Sequence, residues 1–183
     1  MRQTTLFFYH ISFLLKTLSC KIHKITFNFL NQTYIQLFDT NDLLFVINFL
    51  KKSSLYNINI LFEHTATDSV LLKRFSLYYF FLSSFYNNRL YITVPIYEYN
   101  IVHSISKIYS SSIWLEREVY DMFGIFYKNH PDFRRILTDY GFENHPLRKE
   151  FPLTGFEEVF YQNSSKNIEY FKIELMQSLK FTQ

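Results

Sequence analysis

Between Trp114 and Pro152 the sequence reads WLEREVYDMFGIFYKNHPDFRRILTDYGFENHPLRKEFP, and it gathers almost every residue type that could do chemistry. Two His-Pro dipeptides, His130-Pro131 and His145-Pro146, invite a metal reading. A zinc site, however, typically needs about three or four ligands at closer, regular spacing, and no cysteine lies near. A histidine with Glu116 or Glu118 in reach could serve as a general acid or base. The third option is structural: proline forces an extended backbone on the residue before it, which suits a chain crossing a surface. Asp132, Arg134 and Arg135, followed by Leu147, Arg148, Lys149 and Glu150, could form a clamp for an anion. They could equally pair with Glu116, Glu118, Asp121 and Glu143 within the chain.

The rest of the composition narrows these choices. The chain has 183 residues, 48% hydrophobic and 19% charged, which fits one globular domain with a real core. The 22 Phe and 15 Tyr, set against 3 Gly, follow AT-rich codons and point to genome bias rather than an aromatic binding function. A net charge of +3, with basic residues scattered among acidic ones, gives no nucleic-acid surface. The single cysteine, Cys20, excludes an intrachain disulfide and any all-cysteine cluster. Glycine only at 124, 141 and 155 excludes a Gly-rich phosphate loop. Leu6 to Leu18 is apolar but interrupted by His10 and Lys16, and falls short of the about 20 residues of a spanning helix.

The elements that must position the charged stretch follow from periodicity. Thr4 to Ser19 has a helical apolar stripe. Ile25, Phe27 and Phe29 alternate with polar residues, and Tyr34 to Phe38 returns as the second strand of a hairpin. The polar run Asp39 to Asp42 caps a second helix through Leu43, Leu44, Val46, Ile47 and Leu50, closed by Lys51 and Lys52. Three strands follow, with the rows Ile58-Ile60-Phe62, Phe75-Leu77-Tyr79-Phe81 and Leu90-Ile92-Val94 turned inward, the last ended by Pro95. Ile101 to Ile108 reads as a short helix. The expected fold is α+β: a two-layer domain of helix, two strands, helix and three strands, a mixed sheet with the helices on one face.

A signature helix and an extended C-terminal segment come next. Ser111 or Ser112 caps the helix, and Gly124 ends it. Leu115, Val119, Met122 and Phe126 mark its apolar side, leaving the charges for the rest. Arg117 and Asp121 are four apart and can pair, worth about 0.3 kcal/mol if exposed. Glu116 and Glu118 then look to Arg134, Arg135, Arg148 or Lys149. A helix with this much charge is too polar for a core, so the bottom-up reading is an interaction module whose charges a partner satisfies.

Glu116-Arg117-Glu118, Asp121-Met122-Phe123-Gly124, His130-Pro131, Arg134-Arg135-Ile136-Leu137 and His145-Pro146-Leu147-Arg148-Lys149 resemble the signature of the 30 kDa subunit of respiratory complex I. This is a family of NADH–quinone oxidoreductase subunits, called NADH dehydrogenase subunit 9 when mitochondrially encoded. The resemblance is dense from Trp114 to Gly155, with echoes at Thr65-Ala66-Thr67-Asp68 and Arg74-Phe75. It implies a subunit of a proton-translocating NADH:ubiquinone reductase with no catalytic residue of its own. It implies no cofactor in this chain, FMN and the iron–sulfur clusters belonging to partner subunits. It also implies packing against the 49 kDa subunit and its iron–sulfur and quinone-site neighbours. The setting would be the matrix side of the mitochondrial inner membrane, with membrane association through the complex only, and the composition suggests mitochondrial encoding. The expected parts are a core domain over 1–110, the signature helix and docking strap over 111–155, and a tail on the partner over 156–183. The interface candidates are Trp114, Glu116, Arg117, Glu118, Asp121, His130, Arg134, Arg135, His145, Arg148 and Lys149. The chain departs from the pattern at Asn144, usually glycine, at Glu150, usually aspartate, and around Phe160 and Gln162. A rival reading is the equivalent subunit of a related membrane-bound hydrogenase or quinone-linked complex. Another is an independent enzyme using His130 or His145.

Overall fold

A computed structural model describes residues 18, 20–28, 32–69 and 73–177. Strands β1 (Ile22–Asn28), β2 (Gln32–Leu37), β3 (Ile60–Asp68), β4 (Phe75–Ser83) and β5 (Asn88–Ile96) form one sheet in the order β1-β2-β5-β4-β3. The β2–β5 pair is parallel and the others antiparallel, so the sheet is mixed. Helix α1 (Leu43–Lys52) buries Leu43, Val46, Ile47 and Leu50, whose three- and four-residue spacing puts them on one face. They join the inward rows of β4 and β5 and the apolar residues Val119 and Phe123 of helix α2 (Ser112–Phe123) in a single core. The architecture is therefore the expected two-layer α+β domain. The helix expected over Thr4 to Ser19 lies outside the described residues except for Leu18, which is buried in the core.

Several expectations fail for identifiable reasons. In β3 a register shift between Leu61 and Glu63 interrupts the alternation, so Leu61, His64 and Ala66 face inward while Ile60 and Phe62 stay exposed. Pro95 does not stop its strand. It pairs in register with Ser76, and Ile96 with Phe75, beyond it. The polar run before α1 makes no side-chain cap; the Asp42 carboxylate instead accepts from Lys21 Nζ at 2.7 Å. Ile101 to Ile108 is not a helix. Val102–His103 forms β6, parallel to β7 (Tyr127–Lys128), because Val102 and Ser104 donate their N–H groups to the carbonyls of Phe126 and Lys128.

The C-terminal segment is a hairpin of β8 (Glu157–Gln162) and β9 (Asn167–Lys172), turned at Lys166 with φ of 55°. Apolar side chains on both of its faces are exposed, Val159, Tyr161, Ile168 and Tyr170 on one and Phe160 and Phe171 on the other.

Candidate functional site

The helix α2 ends where backbone carbonyls would otherwise be orphaned. Gly124, in the left-handed conformation at φ 75°, returns its N–H to Tyr120 O at 2.8 Å. The strap then supplies donors one after another. His145 Nδ1 donates to Asp121 O at 3.0 Å, Leu147 N to Met122 O at 3.0 Å, and Arg148 Nε to Phe123 O at 2.6 Å. A Cβ at Gly124 would meet Arg148 Nη2 at 2.5 Å and the His145 ring at 2.6 Å, so the strap closes over this glycine because it has no side chain.

Asp121 is fully buried and is the hub of the first polar cluster. Its Oδ2 accepts the N–H groups of Ile136, Leu137 and Thr138 at 3.2, 2.8 and 2.9 Å. Its Oδ1 accepts from Thr138 Oγ1 at 2.7 Å and Arg135 Nη1 at 3.0 Å. Burial opposes its charge, but the Thr138 hydroxyl and the three N–H groups hold the carboxyl below the usual carboxylate range. Arg135 goes on to the carbonyls of Asn144 and Glu143. The loop from 135 to 144 is thus wound around one carboxylate.

A second cluster ties the strap to the sheet. Arg74 Nε lies 3.1 Å from Asp68 Oδ1, its Nη1 2.6 Å from Glu98 and its Nη2 3.1 Å from Glu150. Arg148 Nη1 reaches the same Glu98 at 3.6 Å, and Lys149 N–H donates to Asp68 Oδ2 at 3.0 Å. Asp68 and Arg74 stood outside the candidate interface set, although the signature echoes fell on them. They form the floor on which the strap lies.

The third cluster extends the buried surface of α2 beyond its expected apolar side, where Val119 is buried and Leu115 and Met122 pack against the core. Ser112, Glu116, Val119 and Phe123 form the core-facing row, and Arg117 and Asp121 the row under the strap; all six are buried. The helix is therefore charged and interior at once. Glu116 finds none of the expected cations. Its Oε1 accepts Ile105 N–H at 2.8 Å, its Oε2 has no hydrogen-bond partner, and burial pushes its carboxyl up to about 7. His130 Nε2 lies 3.9 Å from that Oε2. Asp132 N–H donates to His130 Nδ1 at 3.2 Å, so Nε2 carries the proton and donates to Ile113 O, also at 3.2 Å. This imidazole is neutral, and burial lowers its affinity for a second proton. Arg117 does not take Asp121 as its partner. Its Nε donates to Arg134 O at 2.8 Å, Nη1 lies 3.8 Å from Asp132, and the guanidinium sits 5.3 Å from the Trp114 ring.

Behind Glu116 lies a group of residues that the sequence reading passed over. His64 is buried, its ring stacked on Tyr79 at 4.0 Å. Its Nδ1 donates to Tyr78 O at 3.0 Å, so Nε2 accepts the Tyr127 hydroxyl at 2.6 Å. Burial lowers His64 to about 4. Periodicity placed Tyr79 in the core, but nothing in the sequence distinguished His64 from an exposed strand residue once the register shift was missed.

The other candidates face outward. Glu118 and Lys149 are exposed, and Arg134 pairs locally with Asp132 at 2.8 Å. Trp114 is 64% exposed, and Leu137, Tyr140, Leu147 and Leu153 join it on the surface. Ser111 is no cap; its hydroxyl donates to Leu61 O at 3.0 Å. Phe126 lies past the helix end, exposed, against Tyr120 and Phe133. Among the described residues no group of His, Cys, Asp and Glu could hold a metal ion. Between strap and hairpin runs an open cleft of about 920 Å³.

Comparison with known proteins locates this arrangement. The profile of the respiratory-chain NADH dehydrogenase 30 kDa subunit matches residues 37–157, through the strap to the first residue of β8. The chain is 42% identical over 147 residues to NADH-ubiquinone oxidoreductase subunit 9 of Dictyostelium citrinum, covering 78% of this chain and 70% of that protein. It is 44% identical over 141 residues to a subunit of the NADH-quinone oxidoreductase of Dinoroseobacter shibae, covering 76% and 66%. A chain of the membrane-bound sulfane sulfur reductase, an archaeal respiratory membrane complex, shares the fold with a TM-score of 0.68 at 16% identity. That likeness spans 79% of this chain and 85% of the other.

Proposed function

The chain belongs to the family of the respiratory-chain NADH dehydrogenase 30 kDa subunit, and on that premise we propose that it is a non-catalytic scaffold subunit of mitochondrial complex I. It packs against the 49 kDa subunit in the peripheral arm, on the matrix side, and carries no cofactor. The whole enzyme passes electrons from NADH to ubiquinone, and this chain holds neighbouring subunits in place. Residues 1–110 act as the folded base, 111–155 as the docking strap and 156–183 as a tail laid on the partner. Among the described residues no helix is long and apolar enough to cross a membrane. Mitochondrial encoding belongs to the same reading.

The observation that carries it is the division of labour in the strap. Arg117, Asp121, His130, His145 and Arg148 direct polar atoms to partners inside the chain, and Glu116 is buried with one oxygen on Ile105 N–H, which supports a structural role over an independent active site. Trp114, Leu137, Tyr140, Leu147 and Leu153 are exposed apolar side chains on this segment, which suits a protein interface. The rival reading, a subunit of a related membrane-bound complex, draws on fold likeness alone, whereas the Dictyostelium and Dinoroseobacter relatives match in sequence. Native electrophoresis of mitochondrial membranes tests the proposal. The chain should migrate with NADH dehydrogenase activity and show no redox activity when purified. Recovery solely as a free monomer would overturn it.

A further inference from the structure

The cleft between strap and hairpin has a chemistry of its own. Tyr140, Phe142, Phe151, Phe156 and Val159 give it apolar walls, and Asp139, Glu143 and Glu157 stand among them. No lysine or arginine lines it, in a chain whose net charge is +3. Asp139 is held as a carboxylate, lowered by the Tyr170 hydroxyl that donates to its Oδ2 at 2.8 Å across the cleft. Glu143 and Glu157 form no ion pair among the described residues, although Lys172 stands opposite Glu157 in the hairpin register. The Arg135 guanidinium, which reaches the Glu143 carbonyl, is committed to Asp121. Three carboxylates around an apolar trough repel phosphate-bearing partners and attract cations.

The hairpin beside the cleft is incomplete as a fold. Two strands exposed on both faces are marginal in water, and this pair meets the strap through the Tyr170–Asp139 bond and through Phe156 at its base, packed edge-on against Phe151 at 5.4 Å. A neighbour lying along it would bury its apolar side chains and complete the trough.

We propose that this cleft receives an extended, cationic segment of a partner polypeptide, its lysine or arginine side chains meeting Asp139, Glu143 and Glu157 and its apolar ones packing on Tyr140 and Phe156. The assignment rests on the scaffold reading above and deepens it by naming the chemistry of one contact. Extended segments suit such sites because alternate side chains can face the walls and the solvent. Opposite charge fixes the register and excludes wrong partners more than it adds raw affinity.

The test uses the full chain in its native membranes. Wild type, Glu143→Gln/Glu157→Gln and Glu143→Lys/Glu157→Lys are expressed, and the salt needed to strip the chain from the complex is measured. Both glutamates are exposed, so the purified variants should keep the wild-type circular dichroism. Retention should fall from wild type to Gln to Lys, with binding of the Lys variant weakened about tenfold. Equal retention of all three overturns the cleft assignment. Zero-length carbodiimide cross-linking of the wild type then identifies the occupant of any lysine contact. A lysine of another polypeptide joined to Glu143 or Glu157 supports the assignment, whereas joining solely to this chain's residues 178–183 or to a second copy overturns it. If the wild-type chain is absent from the complex altogether, the scaffold reading fails instead.

Discussion

Gly124 and Asp121 show how much of the strap hangs on single atoms. Gly124→Ala would place a β-carbon where Arg148 and His145 already sit, in a backbone conformation that costs an L-residue about 1–2 kcal/mol. Urea unfolding of this variant should show at least that loss, and limited proteolysis should cut first between 130 and 150. Asp121→Asn keeps the shape but removes the charge that Arg135 needs, and an amide cannot replace five acceptor contacts. Breaking such a buried pair should cost about 3 kcal/mol, and an unfolding midpoint equal to wild type would count against the hub. The sequence displayed both residues plainly, a glycine after a helix and an acid before it. It did not display what surrounds them, because the loop that wraps Asp121 donates from backbone N–H groups, which carry no residue identity. His64 was hidden for a different reason. Its inward direction depends on one register shift in β3, and no residue type announces that shift.

At the scale of elements, α2 and β3 press two oppositely tuned groups into one interior. Glu116 rises to about 7 from an ordinary 4.5, so its contribution to stability is full below about 4.5 and is lost as pH climbs through about 7. His64 drops to about 4 from 6.5, so its contribution is full above about 6.5 and is lost as pH falls through about 4. Between 4.5 and 6.5 the folded chain holds the Glu116 proton while the unfolded chain holds the His64 proton, so the two slopes oppose one another, with His130 and His145, also lowered by burial, on the side of His64. Above 6.5 Glu116 acts alone. Wild type should therefore lose stability from pH 6.5 to 8, and Glu116→Gln should flatten that limb while exposing an acid limb from 6.5 to 4. Urea midpoints across this range read both limbs, and a Glu116→Gln variant with the wild-type alkaline slope would remove Glu116 as the cause. Helical spacing was legible in α2 but showed only part of its buried surface. So much charge argues against a core and for a partner that satisfies it, yet the strap arrives with N–H groups, carbonyls and cations to make a charged face interior. The strand rows of β4 and β5 were legible because uninterrupted alternation needs no information from elsewhere.

Across the whole molecule, the residues that hold the fold together and those that would hold a partner form separate sets on one segment. The strap's Arg135, His145 and Arg148 point into α2 and the sheet end. Leu137 and Tyr140 point out, Tyr140 being fully exposed, and neither supports the core. Folding and assembly should therefore come apart under mutation. A Leu137→Asp/Tyr140→Asp double variant removes apolar surface that nothing in the chain uses, so its unfolding free energy should stay within about 0.5 kcal/mol of wild type. Its incorporation into the membrane complex should nonetheless fall severalfold in a competition against the wild-type chain, because a charge set into an interface centre must be desolvated without a partner. Asp121→Asn should fail in both measurements, through the fold first. If the surface double variant loses stability to the same degree as Asp121→Asn, the separation is wrong and the strap's outer face belongs to the fold. If it keeps both stability and incorporation, the partner lies on another surface, of which the open side of the sheet is the next in line. There Tyr34 and Tyr91 stack at 4.6 Å and Phe80 meets Tyr91 at 5.1 Å.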